Sequence, residues 1–198
     1  MTKRSIAVFD FDGTLTTKDT MLIFIRYAKG TIPFIIGFCI FAPMIALMFM
    51  RIIDNHNCKQ RLISWFFKGM SYEEFAAKGK AFANNVSLIS RQDTTKALLK
   101  HQQEGTEVYV VTASIVEWVA PYCQRLGVKQ VIGTEMEVDN NGILTGKFKT
   151  HNCHGGEKVR RFLMVEPDRD SYFLYAYGDS SGDTEMLAMA DEGHFVKL

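Results

Sequence analysis

Ile6-Ala7-Val8-Phe9-Asp10-Phe11-Asp12-Gly13-Thr14-Leu15 sets four apolar residues in a row ahead of two carboxylates and a glycine. A short unbroken apolar run closed by a turn-forming residue is the pattern of a parallel strand, buried on both faces and ending in a functional loop. Asp10 and Asp12 stand two residues apart at that strand end, and Phe11 between them can turn back to the core. Carboxylates so close repel unless a cation or a shared proton joins them. A divalent ion that takes oxygen ligands, such as magnesium, meets that need. The plainer alternative is an Asp12-Gly13 turn capped by Asp10.

Outward from this strand the chain alternates strands and helices. Residues 107–111 form an apolar run after Gly105, and residues 116–126 are helical in pattern up to Gly127. Residues 130–133 predict a further strand, and residues 136–138 and 143–148 flank a hairpin loop, Asp139-Asn140-Asn141-Gly142. A helix at 157–164, an aromatic strand at 172–177, a helix at 184–190 and a closing strand at 194–196 complete the series. Parallel neighbours need right-handed helical crossovers, so the alternation predicts an α/β fold with a doubly wound parallel sheet. Ligands of such sheets sit at the carboxyl ends of the strands. Asp10 and Asp12, Thr112, and Asp179 and Asp183 each follow a predicted strand, which puts the chemistry on one rim.

Residues 17–90 interrupt the alternation. Within them Ser71-Tyr72-Glu73-Glu74 has capping-box spacing and opens a helix running toward Val86. Residues 21–53 are apolar and mostly helical in pattern, punctuated by Gly30, Pro33, Gly37 and Pro43, so several short helices are expected there rather than one rod.

The 198 residues suit one catalytic core with a modest insertion. With 23 basic and 22 acidic residues, no global field attracts nucleic acid. Cys39, Cys58, Cys123 and Cys153 are widely spaced without a CxxC, as expected of reduced thiols in a cytoplasmic protein and not of a disulfide scaffold. His151, Cys153 and His154 lie close together beside Gly155 and Gly156, but without a second ligand pair they are expected to form a loop. Residues 6–9 are too short an apolar run for an export signal. Residues 30–50, by contrast, carry no charge between Lys29 and Arg51 and are long enough to span a bilayer.

Asp10-Phe11-Asp12-Gly13-Thr14 resembles the DxDGT signature of haloacid dehalogenase superfamily phosphatases. The resemblance implies that Asp10 attacks phosphorus to form an aspartyl phosphate, while Asp12 protonates the leaving oxygen and later helps deprotonate water. A carboxylate at position 12 favours phosphate ester hydrolysis, since the superfamily's dehalogenases and ATP-driven pumps usually lack it. Val110-Val111-Thr112-Ala113-Ser114 resembles the second motif, whose hydroxyl holds the transferring phosphoryl group beside the main chain of Ala113. Ser114-Ile115-Val116-Glu117 has capping-box spacing for the next helix, so Thr112 and not Ser114 is expected to contact phosphate. Lys158, at an expected helix start in Gly155-Gly156-Glu157-Lys158, matches the third motif and would offset charge on the phosphoryl oxygens, with Lys147 and Lys149 ranked lower. Gly178-Asp179-Ser180-Ser181-Gly182-Asp183 resembles the fourth motif, GDxxxD. It implies Mg2+ bound by Asp10, Asp179 and the main-chain carbonyl of Asp12, with Asp183 supporting the ion or orienting Lys158. Phosphoserine phosphatases usually carry Asn before the second Asp, where this chain has Gly182.

The insertion at 17–90 stands where subfamily I enzymes carry a helical cap, and the layout is similar to the phosphoserine phosphatase-like IB branch. The resemblance therefore implies a core of residues 1–16 and 91–198. In phosphoserine phosphatases an acidic residue nine positions after the nucleophile binds the substrate amine, and Asp19 has that spacing here. The cap is more apolar than a small zwitterion requires, with Ile32, Phe34, Ile35, Ile36, Phe38, Ile40, Phe41, Ile45, Leu47, Met48, Phe49 and Met50 crowded together. It resembles the cap of bacterial phosphatidylglycerophosphate phosphatases, which implies a lipid-like phosphate monoester and peripheral contact with a membrane at its inner face. A single transmembrane crossing would separate Asp10 from Thr112, Lys158 and Asp179. A buried helix pair, a hairpin broken near Gly37 and Pro43, or a surface lying in the lipid interface remain.

Other classes are a receiver-type phosphoacceptor switch and a noncatalytic membrane-associated protein. In receivers the phosphorylated Asp follows the third strand, whereas here Asp10 and Asp12 share the first loop. The intact Asp10, Asp12, Thr112, Lys158 and Asp179 oppose a noncatalytic role.

Overall fold

The structure, a computed structural model, describes residues 4–50 and 52–197. Arg51, which bounds the uncharged segment, and the side chain of Phe49 lie outside the described residues.

Strand β1 (Arg4–Phe9) is the middle of a sheet whose members are all parallel. The insertion follows as four helices, α1 (Thr20–Lys29), α2 (Thr31–Phe49), α3 (Asn55–Phe67) and α4 (Tyr72–Ser87). Helix α5 (Gln92–Gln103) leads to β2 (Glu107–Ile115), α6 (Val116–Arg125) and β3 (Gln130–Thr134). A small antiparallel hairpin, β4 (Met136–Val138) and β5 (Leu144–Phe148), precedes α7 (Gly156–Val165), β6 (Tyr172–Gly178), α8 (Thr184–Met189) and β7 (Glu192–Phe195). Strand order is β3-β2-β1-β6-β7. The chain builds outward from β1 on one side and then crosses to the other, so the order reverses beside β1, and that is where open α/β sheets form their ligand crevice.

Burial explains why β1 has no polar alternation. Ala7 and Phe9 pack on one face with Leu98 of α5 and Val119 of α6, while Ile6 and Val8 pack on the other with Phe162 of α7 and Met186 of α8. A sheet covered on both faces needs apolar residues at every strand position. Both ends of the insertion are pinned to each other: Thr17 N–H donates to the Ile89 carbonyl at 2.8 Å, and Arg91 N–H to the Leu15 carbonyl at 2.8 Å. The insertion shares its aromatic core with α6, where Trp118 stacks on Phe24 at 4.6 Å and Phe75 and Phe82 close around Phe24.

The expectation of several short helices fails at α2. Gly30, at φ 86°, does separate α1 from α2, but the helix then runs unbroken for 19 residues through Gly37 and Pro43. Pro33 falls in the first turn, where its missing N–H has no partner to lose. Gly37 serves packing instead of a break: a Cβ there would lie 2.4 Å from Phe66 and 2.6 Å from Trp65, so glycine lets α2 settle onto α3. Pro43 is exposed, and solvent can satisfy the carbonyl it leaves unpaired. A buried helix pair and a broken hairpin are therefore both excluded, and α2 presents Ile32, Ile35, Ile36 and Ile40 at its surface. By length and composition it is apolar enough to cross a membrane.

At the rim opposite the carboxyl ends, Arg4 donates to Glu107 at 2.7 Å and to Glu166 at 2.9 Å, and Lys129 also pairs with Glu107. The hydrogen bond from Arg4 holds the Glu107 carboxyl down at about 2, below its usual 4.5. A depressed carboxyl stabilises the fold above its unfolded value, and that contribution is lost as pH falls through the folded value. Solvent screens this half-exposed network to on the order of 1 kcal/mol. Glu107→Gln should therefore lower the melting temperature by about 2–4 °C at pH 7. Thermal melts should show the deficit shrinking as pH drops toward 2, and a deficit independent of pH would refute the assignment.

Candidate active site

Asp10 leaves β1 with its N–H donated to the Tyr177 carbonyl at 2.9 Å, so the end of β6 fixes its main chain. Its side chain is buried and accepts from Lys158 Nζ, which also donates to Asp183 at 2.5 Å. Thr14 Oγ1 donates to Asp179 at 3.0 Å. Carboxylate oxygens of Asp10, Asp179 and Asp183 gather within 4.8 Å of one another.

Gly13 makes this gathering sterically feasible. It adopts φ 83°, and a Cβ built on it would sit 2.1 Å from the Asp179 carboxylate. The cradle exists only because residue 13 has no side chain.

Burial pushes the Asp10 carboxyl up to about 7, although Lys158 pulls the other way. Asp179 is also raised by burial, whereas Asp183 is held below the usual range because Lys158 and the Ser180 hydrogen bonds outweigh its burial. Lys158 is buried, which disfavours its charge, yet Asp10 and Asp183 keep it firmly protonated. Three converging carboxylates with one lysine between them form an all-oxygen donor set, and a hard divalent cation such as Mg2+ fits it.

Asp12 is placed differently. Its Oδ1 accepts from Thr20 N–H at 2.7 Å and Thr20 Oγ1 at 2.6 Å, and its Oδ2 from Ser114 Oγ at 2.5 Å. The Asp12 side chain thus stays out of the acidic cluster, and burial raises its carboxyl above the ordinary range. Trp118 Nε1 donates to Thr20 Oγ1 at 3.2 Å, so the aromatic core of the insertion supports the residue that holds Asp12.

Ser114 does not cap α6. The N-cap position falls on Ile115 without a side-chain hydrogen bond, and the Ser114 hydroxyl one residue earlier donates instead to the buried Asp12 carboxylate. Thr112 is buried within β2, which runs on to Ile115, and its Oγ1 accepts from Ser114 N–H at 3.0 Å. The Ala113 carbonyl receives Lys59 Nζ and Thr134 Oγ1, each at 2.8 Å. Asp19 caps α1, accepting from Met21 N–H at 2.8 Å, and lines the same cavity. Lys147 and Lys149 do not line it.

The cavity holds about 580 Å³. Asp10, Asp12, Thr112, Lys158 and Asp179 form its polar part, and Phe38, Ile45 and Met48 of α2 give it an apolar wall with Leu62 of α3. Sequence reasoning missed Lys59, Asn152 and His154, which also line it. No local motif marks them, because only the packing of α3 and of the loop before α7 brings them to the rim. Phe41 does not line the cavity and packs onto Trp65 at 6.2 Å.

Comparison with known proteins decides the family, since residues 7–188 match haloacid dehalogenase-like hydrolase. The chain belongs to that hydrolase family. It is 34% identical to Protein CicA of Caulobacter vibrioides, over 94% of this chain and 83% of that protein. Phosphoserine phosphatase SerB1 of Mycobacterium tuberculosis is 27% identical, over 92% of this chain and 61% of its own length. Among solved structures, a protein of unknown function from Bordetella pertussis superposes with a TM-score of 0.80 at 20% identity, covering 94% of this chain and 87% of its own. Membership in this hydrolase family removes the receiver-type switch, whose order of acidic residues the chain already lacked.

Proposed function

We propose that this chain is a Mg2+-dependent phosphomonoester hydrolase of the phosphoserine phosphatase-like IB branch, with residues 17–90 as a cap over a core of residues 1–16 and 91–198. The observation that carries the reading is the division between two neighbouring carboxylates: Asp10 joins Asp179 and Asp183, while Asp12 is held apart by Thr20 and Ser114. That division supports attack by one carboxylate and proton transfer by the other.

The phosphoryl group would enter between Asp10, Thr112 and Lys158. Thr112 Oγ1 and the Ala113 main-chain N–H hold its oxygens, and Lys158 offsets their charge. The Asp10 carboxylate oxygen forms a bond to phosphorus as the ester P–O bond breaks, and the leaving alkoxide takes the Asp12 proton. Asp12, now a carboxylate, accepts a proton from water. The resulting hydroxide displaces Asp10 and releases inorganic phosphate. Asp10, Asp179 and the Asp12 main-chain carbonyl would hold Mg2+, with Asp183 behind them; bound there, the ion neutralises charge on the carboxylates and on phosphate.

The substrate favoured by the cavity is lipid-like, of the phosphatidylglycerophosphate type, because the polar floor continues directly into the apolar wall of Phe38, Ile45 and Met48. The outer face of α2 supports contact with a membrane surface. From Thr20 to Gly69, apart from the cavity-lining Lys59, the chain carries five cations (Arg26, Lys29, Arg51, Arg61, Lys68) against one anion, Asp54, which suits an anionic leaflet. Among the described cysteines all four are free, and three are buried, as suits the reducing inner side. The second reading, a small soluble ester such as phosphoserine, draws on the similarity to SerB1 and on Asp19 in the cavity, though that carboxylate already caps α1.

A phosphomonoester panel with Mg2+ separates the two, using phosphoserine, sugar phosphates, a nucleotide and an amphiphile of the phosphatidylglycerophosphate type. The amphiphile should have the highest kcat/KM. Each methylene against the wall contributes about 0.8 kcal/mol, so Phe38→Ser with Met48→Ser should cut that preference about 10–100-fold. Phosphoserine as the best substrate, or equal slowing of every ester, would overturn the lipid-like reading.

A further inference from the structure

Position 182, where phosphoserine phosphatases usually carry Asn, is glycine here, and another residue fills the space. A Cβ at position 182 would lie 2.5 Å from Nε2 of His154 and 2.7 Å from its Cδ2, so the tip of the imidazole occupies the volume of a side chain there. The two segments are tied by Gly155 N–H donating to the Gly182 carbonyl at 3.0 Å. The other histidines of the fold are employed structurally: His56 Nδ1 accepts from Asn152 N–H at 3.1 Å, His101 bonds the Tyr177 hydroxyl at 2.9 Å, His151 lies against His56 and His194 stacks on Tyr177. The His154 ring makes no hydrogen bond to the described residues, yet it lines the cavity beside Lys158, Asp179 and Ser180.

Depth in the cavity indicates what the ring meets. Lys158 and Thr112, the phosphoryl-holding groups, are 2% and 1% exposed, whereas His154 is exposed and so stands nearer the mouth. On the phosphatase reading, a leaving alcohol that projects outward from phosphorus would come within reach of a ring at that depth. We propose that His154 is a specificity-determining residue, its ring hydrogen-bonding an oxygen that the leaving alcohol carries beyond the ester bond, so that polyol esters of the glycerol type are preferred over plain alkyl esters. Gly182 is the complement that makes room for it. The inference rests on the phosphatase reading and names the part of the substrate the cavity reads.

The test uses two soluble esters of equal chain length, glycerol 3-phosphate and propyl phosphate, with Mg2+. The wild-type chain should favour the glycerol ester in kcat/KM by about tenfold, the worth of one good hydrogen bond. His154→Ala should collapse that ratio toward one, mainly through KM, and His154→Gln, which keeps an N–H donor, should retain part of it. Gly182→Asn should displace the ring, lowering both the ratio and the melting temperature; adding His154→Ala should restore the melting temperature but not the ratio. A ratio unchanged in His154→Ala, or equal losses for both esters, would overturn the proposal and leave His154 a structural residue. If the wild-type chain hydrolyses neither ester nor any other phosphomonoester, the phosphatase reading itself falls and takes this inference with it.

Discussion

Replacing Asp10 by Asn is expected to reduce turnover by roughly 10^4-fold or more, because the amide cannot form the covalent link proposed for the buried carboxylate. The fold should survive. In the metal-free protein the Asp10 carboxyl is raised to about 7 by burial, against an ordinary 3.8. A raised carboxyl contributes stability that is complete below the unfolded value and is lost as pH rises through the folded one. Asn does not ionise, so the variant should melt no lower than the parent at pH 8 and relatively higher there than at pH 4. Calorimetry across that range, beside steady-state rates, separates the chemical loss from unfolding. Parental rates in the variant, or in the parent after exhaustive chelation of divalent ions, would end the case for Asp10 as nucleophile.

Asp12→Asn should cost about 10^2–10^4-fold in turnover, the usual range for a positioned proton donor. Its carboxylate bonds Thr20 and Ser114 and stays out of the acidic cluster, so the concentration of Mg2+ giving half-maximal rate should change little. Burial keeps the Asp12 proton to higher pH than an exposed carboxyl would. Leaving-group protonation should therefore fade as pH rises past that raised value, and this limb of the rate profile should be missing in the variant. An ester of a good leaving group, such as 4-nitrophenyl phosphate, should suffer less than an alkyl ester. Loss of metal affinity in proportion to rate would instead make the Asp12 side chain a ligand.

The catalytic floor was legible in the sequence because its parts are local. Asp10, Asp12, Asp179 and Asp183 lie just beyond apolar strands and Thr112 in the carboxyl half of one, and topology gathers those ends on one rim. Ser114 misled because capping-box spacing is a statement about neighbours, whereas its hydroxyl answers a carboxylate 102 positions away. Helix α2 misled in the same way: Gly37 and Pro43 weaken a helix in isolation, but the fit of Gly37 against Trp65 and Phe66 appears only once α3 is in place. Lys59 left no trace in local pattern, and the grouping of His154 with His151 and Cys153 indicated only a loop, since what matters about each is the distant residue it meets.

The aromatic core shared by the insertion and α6 limits how substrate can enter. Swinging the four helices away as one lid would expose Phe24, Phe75, Phe82 and Trp118, all fully buried, at about 1.5–3 kcal/mol per ring. Such a motion would also pull Thr20 from Asp12 and disarm the proton donor. Helix α2 only leans on that core, through the partly buried Phe34 and Phe41, and starts at the positive-φ Gly30. Moving α2 alone about Gly30, as a flap, would uncover fewer fully buried side chains and leave Thr20 bonded to Asp12. A flap that is itself apolar on its outer side would open most readily where its surroundings are also apolar, so the rate of substrate exchange would depend on the surface the enzyme rests against.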